Sequence, residues 1–270
     1  MRILFVTLGI IIVLFAAGWL GFQVKPRPFS PLTESPADVE TIALPGGLPP
    51  PVERFYREVY GEAIPVIDSA VISGRARLRI GWFTFFSRFR FIHLAGSGYR
   101  HYIEGTCFGL PVLKVNEYFL GDQARMEMPF GVTEHEPSVD RAANIAMWAE
   151  TVWFPAAFLT DPRVRWEAVD DETAVLVVPF HEAEERFIVR FHPSTGLIRF
   201  METLRPKSPT DTERTLWLNE VKEWGSVDGQ LIPTVAAVIW LDEGTPWAIF
   251  TVEEIILNTE VGKSIRSRGP

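Results

Sequence analysis

One long helical pattern, residues 138–159, separates two blocks of the chain in which apolar and polar residues alternate as they do in β-strands. Within SVDRAANIAMWAETVWFPAAFL the apolar side chains recur at helical spacing and form one broad stripe, whereas Asp140, Asn144 and Thr151 fall on the opposite side. Pro155 removes a backbone donor, so it must end or kink the helix. Because a helix with so wide an apolar stripe buries it against another layer, this stretch predicts that the flanking blocks form a sheet.

The residues on both sides of this helix alternate with the period of two that is typical of strands. Residues 69–130 contain five such segments and residues 164–258 contain seven, separated by turn signals such as Asp228-Gly229. Short connections favour antiparallel pairing, and a sheet of so many strands curls or splits. We therefore predict a mainly β (α+β) fold: a strongly curved antiparallel sheet, or incomplete β-barrel, of about 11–12 strands with the central helix (about 138–159) packed on its concave face. A sandwich with an appended helix is the alternative.

The N-terminal residues 3–24 contain 22 positions without a formal charge. At about 1.5 Å per residue this length crosses a hydrocarbon core of ~30 Å. Ala16 and Gly18 have the spacing of a signal-cleavage site, but the apolar run continues beyond them, which favours an uncleaved signal or anchor. The span therefore predicts a single-pass protein of the inner (cytoplasmic) membrane whose domain faces the periplasm or the cell exterior.

The composition changes after the apolar segment. Residues 25–50 are rich in proline, glycine and serine, which is typical of an extended tether. Apolar residues then repeat at helical spacing just after Pro51, which predicts a short amphipathic helix. We expect residues 1–24 to be the membrane anchor, residues 51–260 to form a single β domain, and residues 261–270 to be a polar tail.

Charge and cysteine content exclude several classes of function. The 34 acidic and 26 basic side chains give a net charge of -8, so nucleic acid and bulk anionic lipid are not favoured partners. Cys107 is the only cysteine, which excludes an intrachain disulfide and a four-thiolate zinc site. The chain contains no nucleophile-elbow, zinc-protease or phosphate-loop motif. These features favour a protein that is not an enzyme and has no cofactor or resident metal.

Nine aromatic residues of the predicted sheet and helix are candidates to line a ligand cavity between the two. They are Phe83, Phe85, Phe89, Phe91, Trp148, Trp153, Phe154, Phe158 and Trp166. A wide, incomplete barrel leaves room for a ligand, whereas an eight-stranded barrel is nearly filled by its own side chains. The alternative is that these aromatic side chains fill a solid core, as aromatic residues at such spacing usually do.

Five arginines predict a basic surface on the first two strands. They are Arg75, Arg77, Arg79, Arg88 and Arg90, and they fall on one face if these strands pair. This surface is either a solvated outer face or a patch that binds phospholipid headgroups or an acidic partner.

Two histidines are candidates for a polar pair. If the hairpin after the second strand is centred on Ser97, His93 and His101 lie directly opposite each other, with Cβ atoms ~5 Å apart. A third metal ligand is not evident from the sequence, so this arrangement favours a polar pair that responds to mild acid over a metal site. Cys107 with His101 is the remaining candidate for a nucleophilic site.

Long segments of the chain resemble an uncharacterised bacterial membrane-anchored family. These segments are GLPVLKVNEYFL (109–120), MPFGVTEHEPSVDRAANIAMWAE (128–150), FPAAFLTDPRVRWEAVDDETA (154–174), ERFIVRFHPSTGLIRFMETL (185–204), LWLNEVKEWGSVDGQLIP (216–233) and WLDEGTPWAIFTVEEIILN (240–258). The order of FHPSTGLIRFMETL, NEVKEWGSVDGQLIP and a last strand ending at Asn258 looks like the closing half of the LolA/LolB-like lipoprotein-carrier fold. This resemblance implies an incomplete β-barrel closed by helices over an apolar cavity that receives acyl chains, and it implies no catalytic residues.

These observations lead to three hypotheses for the function. The first is a membrane-tethered extracytoplasmic domain that binds a lipid or another apolar ligand without catalysis. A tethered receiver fits better than a shuttle, because the chain keeps its apolar N-terminus and has no lipobox cysteine. The second is an envelope protein–protein interaction module with a filled core, whose arginine face binds a partner. The third is a hydrolase with a dispersed site.

Overall fold

The computed structural model describes residues 2–32, 39–129, 131–208 and 210–270. In these ranges the helices are α1 (Arg2–Phe22), α2 (Pro50–Tyr60), α3 (Pro137–Glu150) and α4 (Ala157–Thr160), and two 3-10 turns cover Thr151–Trp153 and Ser264–Arg266. The strands are β1 (Thr41–Ala43), β2 (Ala63–Pro65), β3 (Ser69–Ile80), β4 (Phe83–Leu94), β5 (Gly98–Cys107), β6 (Leu110–Leu120), β7 (Gln123–Met128), β8 (Gly131–Glu134), β9 (Arg165–Ala168), β10 (Thr173–Phe180), β11 (Ala183–Phe191), β12 (Ile198–Arg205), β13 (Thr215–Val227), β14 (Gln230–Trp240) and β15 (Pro246–Leu257).

Thirteen of these strands form one antiparallel sheet, in the order β8-β7-β6-β5-β4-β3-β15-β14-β13-β12-β11-β10-β9. Each strand pairs with its neighbour along the chain, and β3 pairs with β15 in the middle of the sheet. The edge strands β8 and β9 are therefore consecutive in the chain and are connected through α3 and α4. The predicted mainly β fold is confirmed, with the short strand β8 as an addition that the sequence pattern did not predict.

Side-chain hydrogen bonds connect α3 with both arms of the sheet, that is, the half that ends at β8 and the half that ends at β9. Asp140 Oδ1 accepts from the backbone N–H of Ala124 in β7 at 2.6 Å. Asn144 Nδ2 donates to the carbonyl of Pro179 in β10 at 3.1 Å. Because β7 and β10 lie near opposite edges of the sheet, one helix reaches both only if the sheet curves around it. The predicted position of the helix on the concave face is confirmed.

The helical segment is interrupted where the sequence places its proline. The α-helix ends at Glu150, continues as a 3-10 turn to Trp153, and leaves the helical region at Phe154, whose φ is -140°. Pro155 explains this break, because proline excludes the helical conformation of the preceding residue and cannot donate to the turn before it. Residues 138–159, predicted to be one helix that Pro155 ends or kinks, therefore form two helices joined by a bend.

Aromatic side chains fill the space between the helices and the sheet. Trp148 of α3 stacks on Phe158 of α4 with 6.4 Å between ring centroids, and Phe91 of β4 lies 6.1 Å from Trp153. Phe55 of the predicted amphipathic helix α2 is fully buried in the same core. Each such side chain contributes roughly 1.5–3 kcal/mol through burial, so this layer supplies much of the stability of the fold.

Both terminal segments of the domain cover the convex face of β3–β5. Phe29 is buried there, and Arg90 Nη2 donates to the Ser30 carbonyl at 2.6 Å. At the other end of the chain, Val261 and Ile265 are buried in a small apolar cluster on the same face. The beginning of the predicted tether and the predicted tail thus pack on the sheet, because their few apolar side chains find apolar neighbours on its outer surface.

The rest of the predicted tether contributes one short strand. Residues Thr41–Ala43 form β1 and pair antiparallel with β2, outside the large sheet. Residues 33–38 in the middle of the predicted tether, and Phe130 at the end of the fifth predicted strand, lie outside the described residues.

Of the helices in the described ranges, α1 alone is long and apolar enough to cross a membrane, with 21 residues and a mean hydropathy of 2.7. Its last turn packs on the sheet: the ring of Phe22 lies 5.1 Å from that of Phe83, and the Gly21 carbonyl accepts from the N–H of Phe108 at 2.7 Å. A Cβ at Gly21 would lie 2.5 Å from Cys107 Sγ. This close approach, which requires glycine, joins α1 to the sheet at the turn between β5 and β6.

Candidate functional site

An apolar cavity opens at the N-terminal end of α3. Its volume is about 340 Å³, and its lining residues are Pro137, Ser138, Arg141, Ala142, Ile145, Phe180, Arg205 and Pro206. Pockets for small ligands typically have volumes of roughly 300–1,000 Å³, so this cavity is at the lower end of that range. Its walls are mainly hydrocarbon, and two guanidinium groups provide the positive charge.

The two arginines of the cavity differ in how they are held. Arg141 forms an ion pair with Glu185 of β11. The guanidinium of Arg205 lies 4.8 Å above the ring of Trp217, and its Nη1 donates to the Ala142 carbonyl at 3.4 Å. Its Nε is buried and has no hydrogen-bond partner among the described residues.

The nine predicted aromatic residues do not line this cavity, because their side chains fill the interior instead. Seven of them are at most 3% exposed: Phe85, Phe89, Phe91, Trp148, Trp153, Phe154 and Phe158. Phe83 and Trp166 are half-buried. Most of these rings are part of the main hydrophobic core, whereas Phe83 and Phe85 contact Phe22 of α1. The cavity lies at the N-terminal end of α3.

Ionisable side chains meet at the C-terminal end of α3. Glu150 Oε2 lies 2.6 Å from His101 Nε2 in β5 and 3.4 Å from His93 Nε2 in β4. On its other side, His101 Nδ1 faces Glu117 Oε2 at 3.8 Å, and the hydroxyl of Tyr99 donates to Glu117. We call these five residues the histidine–carboxylate cluster. Both histidines are buried.

The register of the β4–β5 hairpin differs from the predicted one. Its loop is centred on Gly96, whose φ of 61° is in the left-handed region that favours glycine, and not on Ser97. His101 therefore pairs with Phe91 and not with His93, so the predicted direct pairing of the histidines is wrong. They are diagonal neighbours on one face, with ring centroids 6.0 Å apart.

Burial and the two carboxylates set the charges in this cluster. Burial would lower the pKa of His101, but Glu150 and Glu117 outweigh this effect and raise that pKa to about 9. Burial and the nearby His101 lower the pKa of His93, so its ring is neutral at pH 7. Burial raises the pKa of Glu150, an effect that His101 opposes. At neutral pH His101 is therefore protonated, whereas His93 is neutral.

Arg205 connects the cluster with the cavity. One part of its side chain lines the cavity, and its charge interacts with Tyr99 and Glu117. Burial lowers the pKa of Arg205, and the interactions with Tyr99 and Glu117 oppose this change.

Several of these residues are absent from the sequence-based candidates. Glu150 does carry a signal, because it falls only about 40° beyond the edge of the apolar stripe at Ala146 on a helical projection. An acidic residue so close to a buried stripe is a candidate for a buried partner. Glu117 and Arg205 carry no comparable signal, since each lies in a strand with other charged residues.

The five predicted arginines share the outer face of β3 and β4, where Arg75 pairs directly with Arg88. Four of them face carboxylates, in the ion pairs Arg75–Glu253, Arg79–Glu243, Arg88–Glu104 and Arg90–Glu254. The ring of Phe29 also covers Arg88, with the guanidinium carbon 4.5 Å from its centroid. Much of the positive charge of this surface is thus compensated within the chain, and Arg77 is its exposed member.

Cys107 and His101 are not brought together. They lie six residues apart on β5, which corresponds to about 20 Å in an extended strand. Cys107 Sγ faces the Gly18 carbonyl of α1 at 3.8 Å. The predicted nucleophile and base therefore occupy different parts of the molecule.

Exposed apolar side chains cluster where α1 meets the sheet. They are in or beside the β3–β4 and β5–β6 turns and comprise Ile80 (64% exposed), Trp82 (80%), Phe108 (59%) and Leu110 (68%), which we call the loop-tip patch. Trp82 contacts Phe83, which in turn contacts Phe22 of α1. An exposed tryptophan at the end of an apolar helix is typical of a membrane–water interface.

Comparison with known sequences identifies one matching family. Residues 38–252 match the profile of a family described as a family of unknown function, DUF6544. No curated protein matches the chain.

Comparison with solved structures identifies the fold. A LolA superfamily protein from Nitrosomonas europaea is similar with a TM-score of 0.50 and 12% sequence identity, over 80% of this chain and 96% of that one. A DUF1329 family protein from Desulfovibrio piger has a TM-score of 0.44 and 10% identity, over 75% of this chain and 91% of that one. A putative outer membrane lipoprotein-sorting protein domain from Vibrio parahaemolyticus has a TM-score of 0.41 and 8% identity, over 73% and 88%. The fold is LolA-like, as the sequence resemblance implied.

Proposed function

The chain belongs to the DUF6544 family, and from this premise we propose that it is a membrane-anchored extracytoplasmic domain that binds a lipid or another apolar ligand without catalysis. The observation that carries the proposal is the open apolar cavity with two guanidinium groups, located between the helix and the curved sheet of a LolA-like fold.

The chemistry of the cavity favours an amphiphile with one anionic group. Its hydrocarbon walls suit part of an acyl chain, and about six buried methylenes would contribute about 5 kcal/mol. Arg205 lines the cavity, and its guanidinium group can bind a carboxylate or phosphate oxygen of the ligand there. The compensated arginine face of β3 and β4 is a weaker candidate for such a headgroup.

The membrane part of the proposal rests on the position of α1. Because its last turn packs on the sheet beside the loop-tip patch, an α1 that spans the bilayer would place Trp82, Phe108 and Leu110 at the membrane surface. Exposed aromatic and aliphatic side chains favour the interface between headgroups and acyl chains. We therefore expect the domain to rest on the inner membrane, with its first residues after α1 folded back onto the sheet.

The lipid-binding proposal can be tested by photocrosslinking. The full-length protein would be reconstituted in nanodiscs that contain a photoreactive fatty acid, and crosslinked peptides would be mapped by mass spectrometry. We expect crosslinks to residues 137–145 and 205–206. Ala142→Trp should reduce them about tenfold, which corresponds to a loss of ~1.4 kcal/mol of binding free energy when bulk replaces the apolar contact.

Leu204→Trp is the matched control for this experiment. It adds the same side chain to the strand that carries Arg205, at a position that is 52% exposed, so crosslinking should stay at the wild-type level. Absence of crosslinks at the cavity in the wild type, or equal crosslinking in Ala142→Trp, would refute lipid binding at this site.

A protein–protein interaction module is the second candidate function, because the interior beneath the helix is filled with side chains and not hollow. In that case the wild-type protein would show no crosslinks at the cavity. Native mass spectrometry of the full chain released from detergent would then show a mass without lipid. Retention of a lipid in the wild type and its loss in Ala142→Trp would instead support the first function.

A further inference from the structure

Three potential metal ligands converge from three separate elements. His93 of β4, His101 of β5 and Glu150 at the end of α3 each offer one ligand atom, and these atoms all lie within 4.8 Å of one another. The histidines are diagonal neighbours on the concave face of the sheet, and the helix brings the carboxylate over them. Neutral imidazoles and carboxylates are common zinc ligands, and three protein ligands plus one open position is the typical set of a reactive zinc site.

His93 provides a second and independent observation. Its side chain is completely buried, and neither Nδ1 nor Nε2 has a hydrogen-bond partner within the described residues. A buried polar group that lacks a partner is destabilising, and such groups in native proteins often mark an ion or water that completes them. The Nε2 atom of His93 is 3.4 Å from Glu150 Oε2, so the unpartnered nitrogen is adjacent to the other two ligands.

One of the ligand separations matches that of a tetrahedral zinc site, and the three ligand atoms lie within 4.8 Å of one another. With bonds of about 2.0–2.1 Å to nitrogen and oxygen, neighbouring ligand atoms lie about 3.3 Å apart. The separation of 3.4 Å between His93 Nε2 and Glu150 Oε2 already has this value. The separation of 2.6 Å between His101 Nε2 and Glu150 Oε2 is that of a hydrogen bond, so the carboxylate would withdraw by less than about 1 Å. The side chain of Glu150 is 18% exposed, so its carboxylate is next to solvent.

Neighbouring residues are placed to orient one of the ligands. His101 would bind zinc through Nε2, while its Nδ1 faces the carboxylate of Glu117, which accepts a hydrogen bond from Tyr99. A carboxylate on the far nitrogen of a zinc-binding histidine fixes the tautomer and makes the ring a better ligand. Such an arrangement is common in metal sites.

We propose that His93, His101 and Glu150 bind one Zn²⁺ ion. The ion replaces the hydrogen bond between His101 and Glu150, displaces the Nε2 proton of His101 to solvent, and satisfies the free Nε2 of His93. The ion would join the end of α3 to β4 and β5, and the exposed side of Glu150 gives it access from solvent. The fourth position is open to water or to an anionic group of a ligand. This site is separate from the cavity and does not depend on lipid binding.

Zinc binding can be measured on the untagged full-length protein in detergent. After treatment with EDTA and dialysis, titration with Zn²⁺ should give one ion per chain. His93→Ala and Glu150→Gln should weaken binding more than roughly 100-fold, because each removes a direct ligand, whereas Glu117→Gln should weaken it about 10–100-fold as the loss of an orienting partner. His192→Ala is the control, since this histidine is exposed and distant in the sheet order.

Co²⁺ provides a test that needs no variant. The absorption spectrum of Co²⁺ bound to the wild-type protein should have the intensity of four-coordinate nitrogen and oxygen ligation, and Zn²⁺ should displace it. The proposal is overturned if the wild type retains no more Zn²⁺ than His93→Ala does, if His192→Ala abolishes binding, or if bound Co²⁺ has an octahedral spectrum typical of surface sites.

Discussion

Replacing His101 with glutamine tests the assignment of charge in the histidine–carboxylate cluster. Glutamine keeps a donor toward Glu150 but has no titrating group. The wild-type ring is buried between the carboxylates of Glu150 and Glu117, which raise its pKa to about 9 against the opposing effect of burial. The variant should therefore lose one specific part of the pH dependence of stability.

The sign and the size of this difference in pH-dependent stability follow from proton linkage. The folded pKa of His101 is above the ordinary value of 6.5, so the native state binds more protons than the unfolded state between pH 6.5 and about 9. The stabilisation is complete below pH 6.5 and is lost as the pH rises through about 9. With ~1.4 kcal/mol for each pH unit, the difference between wild type and variant should fall by about 3 kcal/mol across this window.

The measurement is chemical unfolding of the full chain in detergent with EDTA, followed by tryptophan fluorescence from pH 6 to pH 10. His192→Gln is the control, because His192 is exposed and its loss should leave the profile unchanged. If His101→Gln and wild type show the same decrease in unfolding free energy between pH 6.5 and 9, the charge assignment is refuted.

Three further outcomes follow from the structure. The pKa of His93 in the folded state is below its ordinary value, so its contribution to folding stability is present above pH ~6.5 and is lost on acidification. His93→Phe should therefore make the unfolding free energy less dependent on pH below ~6.5. An unchanged decrease below that pH would contradict this. Trp148→Ala removes a fully buried ring and should lower the unfolding free energy by about 3–5 kcal/mol in the same assay, whereas a loss below ~1 kcal/mol would show that the core is not packed around it. In a Trp19→Phe background, which removes the tryptophan of α1, Trp82→Phe should lower the tryptophan emission that brominated lipids quench in nanodiscs, and unchanged quenching would show that the loop-tip patch does not reach the bilayer.

Local periodicity was sufficient to predict most of the elements of this fold. Alternation along residues 69–130 and 164–258 predicted most strands, because a half-buried strand imposes its period of two on a few consecutive residues. The apolar stripe after Ser138 predicted the helix, and Pro155 predicted where it bends. The buried surface is wider than predicted, because Asn144 and Thr151 from the opposite side are buried as well. The continuous apolar run of residues 3–24 identified α1 in the same way.

The candidate sites depended on contacts that local patterns do not contain. Whether the aromatic side chains line a cavity or fill a core is decided by how far the sheet curves, and α3 lies close enough for the rings to fill the space. The pairing of His93 and His101 changed because the hairpin is centred one residue earlier than predicted, and such a shift moves every partner by two residues. Glu150 joins these histidines only because the helix crosses between the arms of the sheet. The period of each segment is fixed by its own side chains, so the sequence alone determines it. Residues far apart in the chain become neighbours through the curvature and the register of the sheet, and these are determined only by the folded sheet as a whole.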